Sequence, residues 1–160
     1  MLRSCIVMAL LGLATVTCSL SFAAAQDSED VADPVVIKLD QRVLRFLDAV
    51  STTEADDAFD NLLVGSPLLK QTDALESLTK TSSDVTTRYG AYRGSEQLSA
   101  KRVGKDLVLM KYLFKCEQFP LVWYFVFYRD FSRQNNGNAI DDPWIVISVR
   151  FDTQVELLFD

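Results

Sequence analysis

Histidine is absent from the chain. That one absence removes Ser-His-Asp and Cys-His nucleophilic catalysis, histidine proton shuttles and the common zinc and iron ligand sets. Cysteine is nearly as scarce: three residues, of which Cys5 and Cys18 fall in the first twenty-five positions and only Cys116 lies beyond them. A lone cysteine makes no internal disulfide, so the fold must stand on its hydrophobic core. With no imidazole to activate it, Cys116 is expected to be a buried structural thiol. Glycine and proline are few, at six and four residues. Neither Ser66-Pro67 nor the stretch from Ser132 to Asn138 has the glycine pattern that cradles phosphate. Excess positive charge is missing too. The formal charge is −6, which disfavours phosphate backbones and anionic membrane surfaces, so no nucleic-acid partner is expected.

No apolar run reaches the roughly 20 residues that a membrane span needs. The longest candidate, Ile6 to Ala14, is broken further on by Thr15, Thr17, Ser19 and Ser21. Arg3 before that run and Ala23-Ala24-Ala25 after it have the three-part layout of a secretory leader, cleaved ahead of Gln26. The alternatives are an uncleaved anchor or a lipoprotein carrying lipid on Cys18, the latter disfavoured by Thr17 where a small residue belongs. The expected destination is the periplasm or the extracellular space, with no membrane attachment after cleavage. The expected organisation is a signal peptide over 1–25, a flexible acidic N-terminus over 26–32 and one domain over 33–160.

What is present suits a globular domain: 49% apolar and 24% charged residues can build a core of ordinary composition. The charge is uneven. Residues 26–87 carry 13 acidic and 5 basic side chains, whereas residues 88–160 carry 9 and 10, so the first half presents an acidic surface.

Periodicity places helices first. Asp33-Pro34 reads as an N-cap with proline at the first helical position. Val36, Leu39, Val43, Phe46, Leu47 and Val50 follow at steps of three and four. Thr53 with Asp56 opens a second helix with Ala55, Ala58, Phe59, Leu62 and Leu63 inward, stopping at Gly65. A third, rich in Ser and Thr, is expected from Thr72 to Tyr89 with Leu75, Leu78, Ser82, Val85 and Tyr89 inward and Gly90 as its stop.

After Gly94 the period changes to two. A polar edge strand is expected from Ser95 to Val103, with Leu98 and Ala100 sharing one face. A two-residue turn at Gly104-Lys105 follows. The next strand, Leu107 to Cys116, puts Val108, Met110, Tyr112, Phe114 and Cys116 on one face. Leu121 to Tyr128 is apolar on both faces, as a central strand is. After a polar loop from Arg133 to Asp142, the last strand runs from Trp144 to Phe151, with Ile145, Ile147, Val149 and Phe151 inward; Val155 to Phe159 extends it or folds back. The fold class is therefore α+β: three N-terminal helices packed on a curved four-stranded antiparallel sheet.

This element order resembles the nuclear-transport-factor-2-like cone, a fold of the cystatin-like kind shared with ketosteroid isomerases and many small exported bacterial proteins. At residue level the resemblance rests on Gly90 to Gly94, where the third helix hands over to the sheet. It also rests on Asp142-Pro143-Trp144-Ile145-Val146, which looks like a Gly-x-Trp entry to the last strand with Asp142 in place of the glycine. The resemblance implies a cone interior and frequent dimerisation through the sheet. It implies no single activity, because such cones host isomerases, dehydratases, cyclases and inert binding modules. The His-Asp pair of scytalone dehydratases is excluded by the missing histidine.

Residue by residue, no catalytic set and no metal site emerge. Tyr112, Tyr124 and Tyr128 lie on strands near Glu96 and Glu117, but their spacing does not bring a base and a donor together. Asp56-Asp57, Asp141-Asp142 and the Asn135-to-Asn138 stretch lack the alternating oxygens of a calcium loop. The aromatic strand is the distinctive feature. Trp123, Phe125 and Phe127, with Tyr112 and Phe114, are candidate contacts for a small apolar ligand. Val122, Tyr124, Val126 and Tyr128 on the other face are candidate interface residues, since a two-layer domain covers only one sheet face with helices. The reading is an exported, non-catalytic binding or interaction domain, homodimeric through its sheet and without a cofactor. The alternative is a small isomerase or lyase using a carboxylate and a tyrosine.

Overall fold

A computed structural model describes residues 33–52, 55–134 and 142–155, all within the unit Ala32–Asp160. The leader, the acidic N-terminus, the Thr53 cap, the asparagine-rich loop and most of the Val155-to-Phe159 segment lie outside the described residues. The elements run α1 (Pro34–Ser51), α2 (Ala55–Leu62), a 3₁₀ turn (Pro67–Lys70), α3 (Thr72–Ser83), α4 (Val85–Tyr89), β1 (Tyr92–Val103), β2 (Leu107–Cys116), β3 (Leu121–Arg129), a second 3₁₀ turn (Phe131–Gln134) and β4 (Trp144–Asp152). The four strands form one antiparallel sheet in the order β1-β2-β3-β4. The fold is thus α+β.

Helix α1 begins as the sequence predicts. Asp33 Oδ1 accepts a hydrogen bond from the Val35 amide at 2.9 Å, and proline opens the helix. Its stripe of Leu39, Val43, Phe46, Leu47 and Val50 is buried. Phe46 sits at the centre, edge-on to Phe59, Trp123 and Phe125 with centroids 4.9, 5.5 and 5.7 Å away. That single side chain links α1, α2 and β3 and belongs to the one contiguous core.

The helix predicted from Thr72 to Tyr89 breaks at Asp84 into α3 and α4. Its hydroxyl residues bond back to their own helix: Thr81 to the Ser77 carbonyl, Ser82 to Leu78 and Ser83 to Lys80. Such local bonds compete with the backbone ladder and bend helices. Gly90 (φ +88°) and Gly94 (φ +117°) then turn the chain into β1.

Three strand expectations need correction. Strand β1 begins at Tyr92, earlier than Ser95, and carries irregularities between Tyr92 and Gly94 and between Gln97 and Ser99. The second leaves Leu98 without a partner in β2. The β1–β2 turn has three residues, Gly104 to Asp106, with Val103 paired to Leu107 and Gly104 at φ +64°. In β4, Phe127 pairs with Val146 but Val126 pairs with Ser148, so a bulge at Ile147 switches the alternation. A one-residue insertion exchanges faces. Val149 and Phe151 therefore share the helix-covered face with Trp144 and Val146, while Ile145 and Ile147 do not.

Candidate functional site

Three carboxylates, Asp33 capping α1 and Asp40 and Asp48 within it, each reach a different partner on the sheet. Asp33 pairs with Arg102 near the end of β1. The Tyr112 hydroxyl donates to Asp40 Oδ1 at 2.7 Å. The Tyr92 hydroxyl, at the start of β1, donates to Asp48 Oδ1 at 2.9 Å and lies 2.7 Å from Ser95 Oγ. Helix α1 therefore runs antiparallel to β1 and is fastened at three points. The Arg102 guanidinium and the Val35 amide hold the Asp33 carboxyl below its usual pKa. Burial pushes the Tyr92 phenol up to about 12, with Asp48 adding to the effect. The Tyr112 phenol is also driven upward, first by burial and then by Asp40.

The carboxylates that meet tyrosines are thus Asp40 and Asp48, from a helix, rather than strand glutamates. Glu96 pairs with Lys115 and Glu117 with Arg93, both at the surface. The hydrogen bond that the Tyr112 hydroxyl donates to the Asp40 carboxylate ties β2 to α1. The buried polar side chains among the described residues are Ser66, Thr79 and Ser82, and no carboxylate is among them. Burial raises the pKa of Cys116 and keeps it a thiol. Among the described residues, no group of three or more Cys, Asp or Glu could hold a metal ion, and no helix is long and apolar enough to cross a membrane.

The two residue sets singled out on the aromatic strand part to opposite faces. Tyr112, Phe114, Trp123, Phe125 and Phe127 are buried beneath the helices. Trp123 stacks on Phe125 and lies 4.7 Å from Phe151. Its indole N–H is the only buried side-chain polar atom without a hydrogen-bond partner among the described residues. These five side chains fill the space between the layers.

On the other face Val122 is buried, Tyr124 and Val126 are half-buried, and Tyr128 is 39% exposed. Leu107, Leu109 and Leu113 of β2 share this face by register, as do Ile145, Ser148 and Arg150 of β4. Leu109, Tyr128 and Ile147 are exposed large apolar side chains. Lys111, Tyr124 and Arg150 lie in one row across β2, β3 and β4. The Arg150 guanidinium sits 4.2 Å and the Lys111 ammonium 5.4 Å from the Tyr124 ring centre. Both cations are therefore laid against the ring, an arrangement worth about 0.5–1 kcal/mol each at an exposed site. The alternation of β3 separates Val122, Tyr124, Val126 and Tyr128 in the sequence; Leu107, Leu109 and Leu113 of β2 were not singled out there, and the β4 contribution was hidden by the bulge.

Cavities lie elsewhere. One, of about 440 Å³, is a groove between α1 and α2 lined by Arg42, Arg45, Phe46, Ala49, Ala58, Asn61, Leu62, Val64 and Asp142. A second, about 380 Å³, adjoins the start of α1 and Trp144, and a third, about 210 Å³, is an apolar notch between α3 and Val149. None of the five buried aromatic-strand candidates lines any of the three.

Sequence reasoning overlooked two structural anchors. Arg42 donates to the Trp144 carbonyl at 2.8 Å and to the Leu62 carbonyl, and lies 3.6 Å from Asp142. Buried Ser66 donates to the Val146 carbonyl. Both tie the helical layer to β4, and neither has a signal in the helical or strand periodicity. Comparison with protein-family models, with curated proteins and with solved structures returned no match.

Proposed function

We propose that the chain is an exported, non-catalytic interaction domain that pairs with a second copy of itself through the outer face of its sheet. The carrying observation is that face: Leu109, Tyr128 and Ile147 exposed beside half-buried Leu107, Leu113 and Val126. Contiguous apolar surface of this kind marks interaction sites. The cations Lys111 and Arg150 are held over Tyr124 in the middle row of the face. The resemblance of the sequence's expected element order to the nuclear-transport-factor-2-like cone would imply the same pairing. The leader-like first twenty-five residues support export.

The size of the face bounds the interface it can form. Four strands about 4.8 Å apart and nine residues long, at about 3.3 Å per residue, present roughly 500–600 Å² in projection. A standard interface takes about 800 Å² from each partner. A face of this extent is small for a permanent dimer, so the proposed pairing is a reversible one. Sedimentation velocity of the protein purified from an exporting host tests this. The wild type shifts from monomer to dimer over roughly 1–100 µM, and Leu109→Glu stays monomeric with its thermal midpoint preserved. A wild type that stays monomeric throughout, or a Leu109→Glu dimer, refutes the proposal.

A further inference from the structure

The groove between α1 and α2 combines an apolar floor with a guanidinium whose terminal nitrogens have no partner among the described residues. Its floor is Phe46, Ala58 and Leu62, all buried, with Ala49 beside them. Two alanines on facing helices leave the space that larger side chains would fill. Its α1 rim carries Arg42 and Arg45, three residues apart and so on neighbouring positions of one helix face, and its α2 rim carries Asn61.

The two arginines differ. Arg42 is spent on the Leu62 and Trp144 carbonyls and on Asp142. Exposed Arg45 donates only its Nε, to the Gln41 carbonyl of its own helix at 3.2 Å, and pairs with no carboxylate among the described residues. Asp142, the one carboxylate in the lining, is faced by both Arg42 and Lys38, at 3.6 and 3.7 Å. The rim is thus net positive within a helical half whose sequence is acidic.

We infer that this groove binds a small amphipathic anion, a carboxylate or sulfonate on an apolar body. The apolar part lies on Phe46, Ala49 and Ala58, and the anionic group takes the terminal Nη donors of Arg45, with Asn61 opposite. A volume of about 440 Å³ falls within the range of small-molecule sites, which are mostly apolar with a few placed polar groups. A neutral apolar ligand leaves the Arg45 donors unused, and a cation meets the wrong charge. Anion–guanidinium hydrogen bonds are among the stronger ones available.

The probe is octanoate, with octanamide as its uncharged twin. Each is titrated against protein-bound anilinonaphthalene sulfonate, itself an aromatic anion, and displacement is read by fluorescence. Octanoate is expected to bind at least ten times more tightly than octanamide. Arg45→Glu removes that preference without moving the thermal midpoint, and Ala49→Trp blocks both ligands. Tyr128→Glu, on the sheet face, changes neither. Equal affinity for the two probes, octanoate binding unchanged by Arg45→Glu, binding lost to Tyr128→Glu instead, or no octanoate binding at all would each overturn the inference.

Discussion

Arg42 carries more of the stability than any surface charge should, and replacing it with methionine tests how the helical layer is held to β4. The side chain is 16% exposed. It supplies one hydrogen bond to Trp144, a buried residue, and one to Leu62, at the end of α2. Hydrogen bonds from a charged donor contribute about 1.5 kcal/mol or more each. The guanidinium also lies 5.8 Å from the Phe127 ring centre, worth about 0.5 kcal/mol or more. Methionine restores part of the apolar contact, so Arg42→Met should cost about 3 kcal/mol. For a domain of this size that lowers the melting temperature by about 10 °C. Arg42→Lys, one ammonium where two carbonyls need donors, should lose about half as much. Asp142→Asn should lose under about 1 kcal/mol, because the ion pair is 3.6 Å long and Asp142 is a quarter exposed; asparagine can still accept from the Trp144 amide. Urea denaturation of the three variants gives the order directly. If Asp142→Asn costs as much as Arg42→Met, Coulomb attraction to Asp142 rather than the two carbonyl bonds holds the layer, and the reasoning fails.

The tyrosines predict an alkaline limit. Tyr92 has its pKa raised to about 12 and that of Tyr112 also moves up, so the folded state keeps protons that the unfolded state releases near pH 10. Their contribution is complete below about pH 10 and is lost as pH rises toward 12. Absorbance at 295 nm should show Tyr92 and Tyr112 still protonated above pH 10 in the folded protein, and Tyr92→Phe or Tyr112→Phe leaving the alkaline end of the titration unchanged would contradict the assignment. Gly90→Ala should destabilise by about 1–2 kcal/mol, because φ is +88° and a Cβ there would stand 2.9 Å from Glu117 Cβ; thermal melts measure it.

The sequence made the helical layer and the inner sheet face readable because both repeat. Leu39, Val43, Phe46, Leu47 and Val50 recur at helical spacing, and Val108, Met110, Tyr112, Phe114 and Cys116 alternate, so the burial each pattern implies is the burial observed. Irregularity was unreadable. One inserted residue at Ile147 exchanged the faces of half of β4, and the hydroxyl back-bonds that divide α3 from α4 leave no mark on hydrophobic periodicity. Polar fastenings were unreadable for another reason. Asp40 with Tyr112 spans 72 residues and Arg42 with Trp144 spans 102, so only the folded chain shows that they meet. The Arg45 groove depends likewise on which α2 residues α1 faces.

Hydroxyl-radical footprinting across a concentration series tests the central claim most directly, since it reads side chains face by face. Leu109, Tyr128 and Ile147 are the reporters on the outer sheet face; Ile37, Val64 and Leu69 are exposed apolar side chains of the helical half and its connector. Pairing through the sheet predicts that the first three lose reactivity as the protein is concentrated while the second three keep theirs. Protection of Ile37, Val64 and Leu69 instead, or of no residue at concentrations where sedimentation shows a dimer, would contradict it.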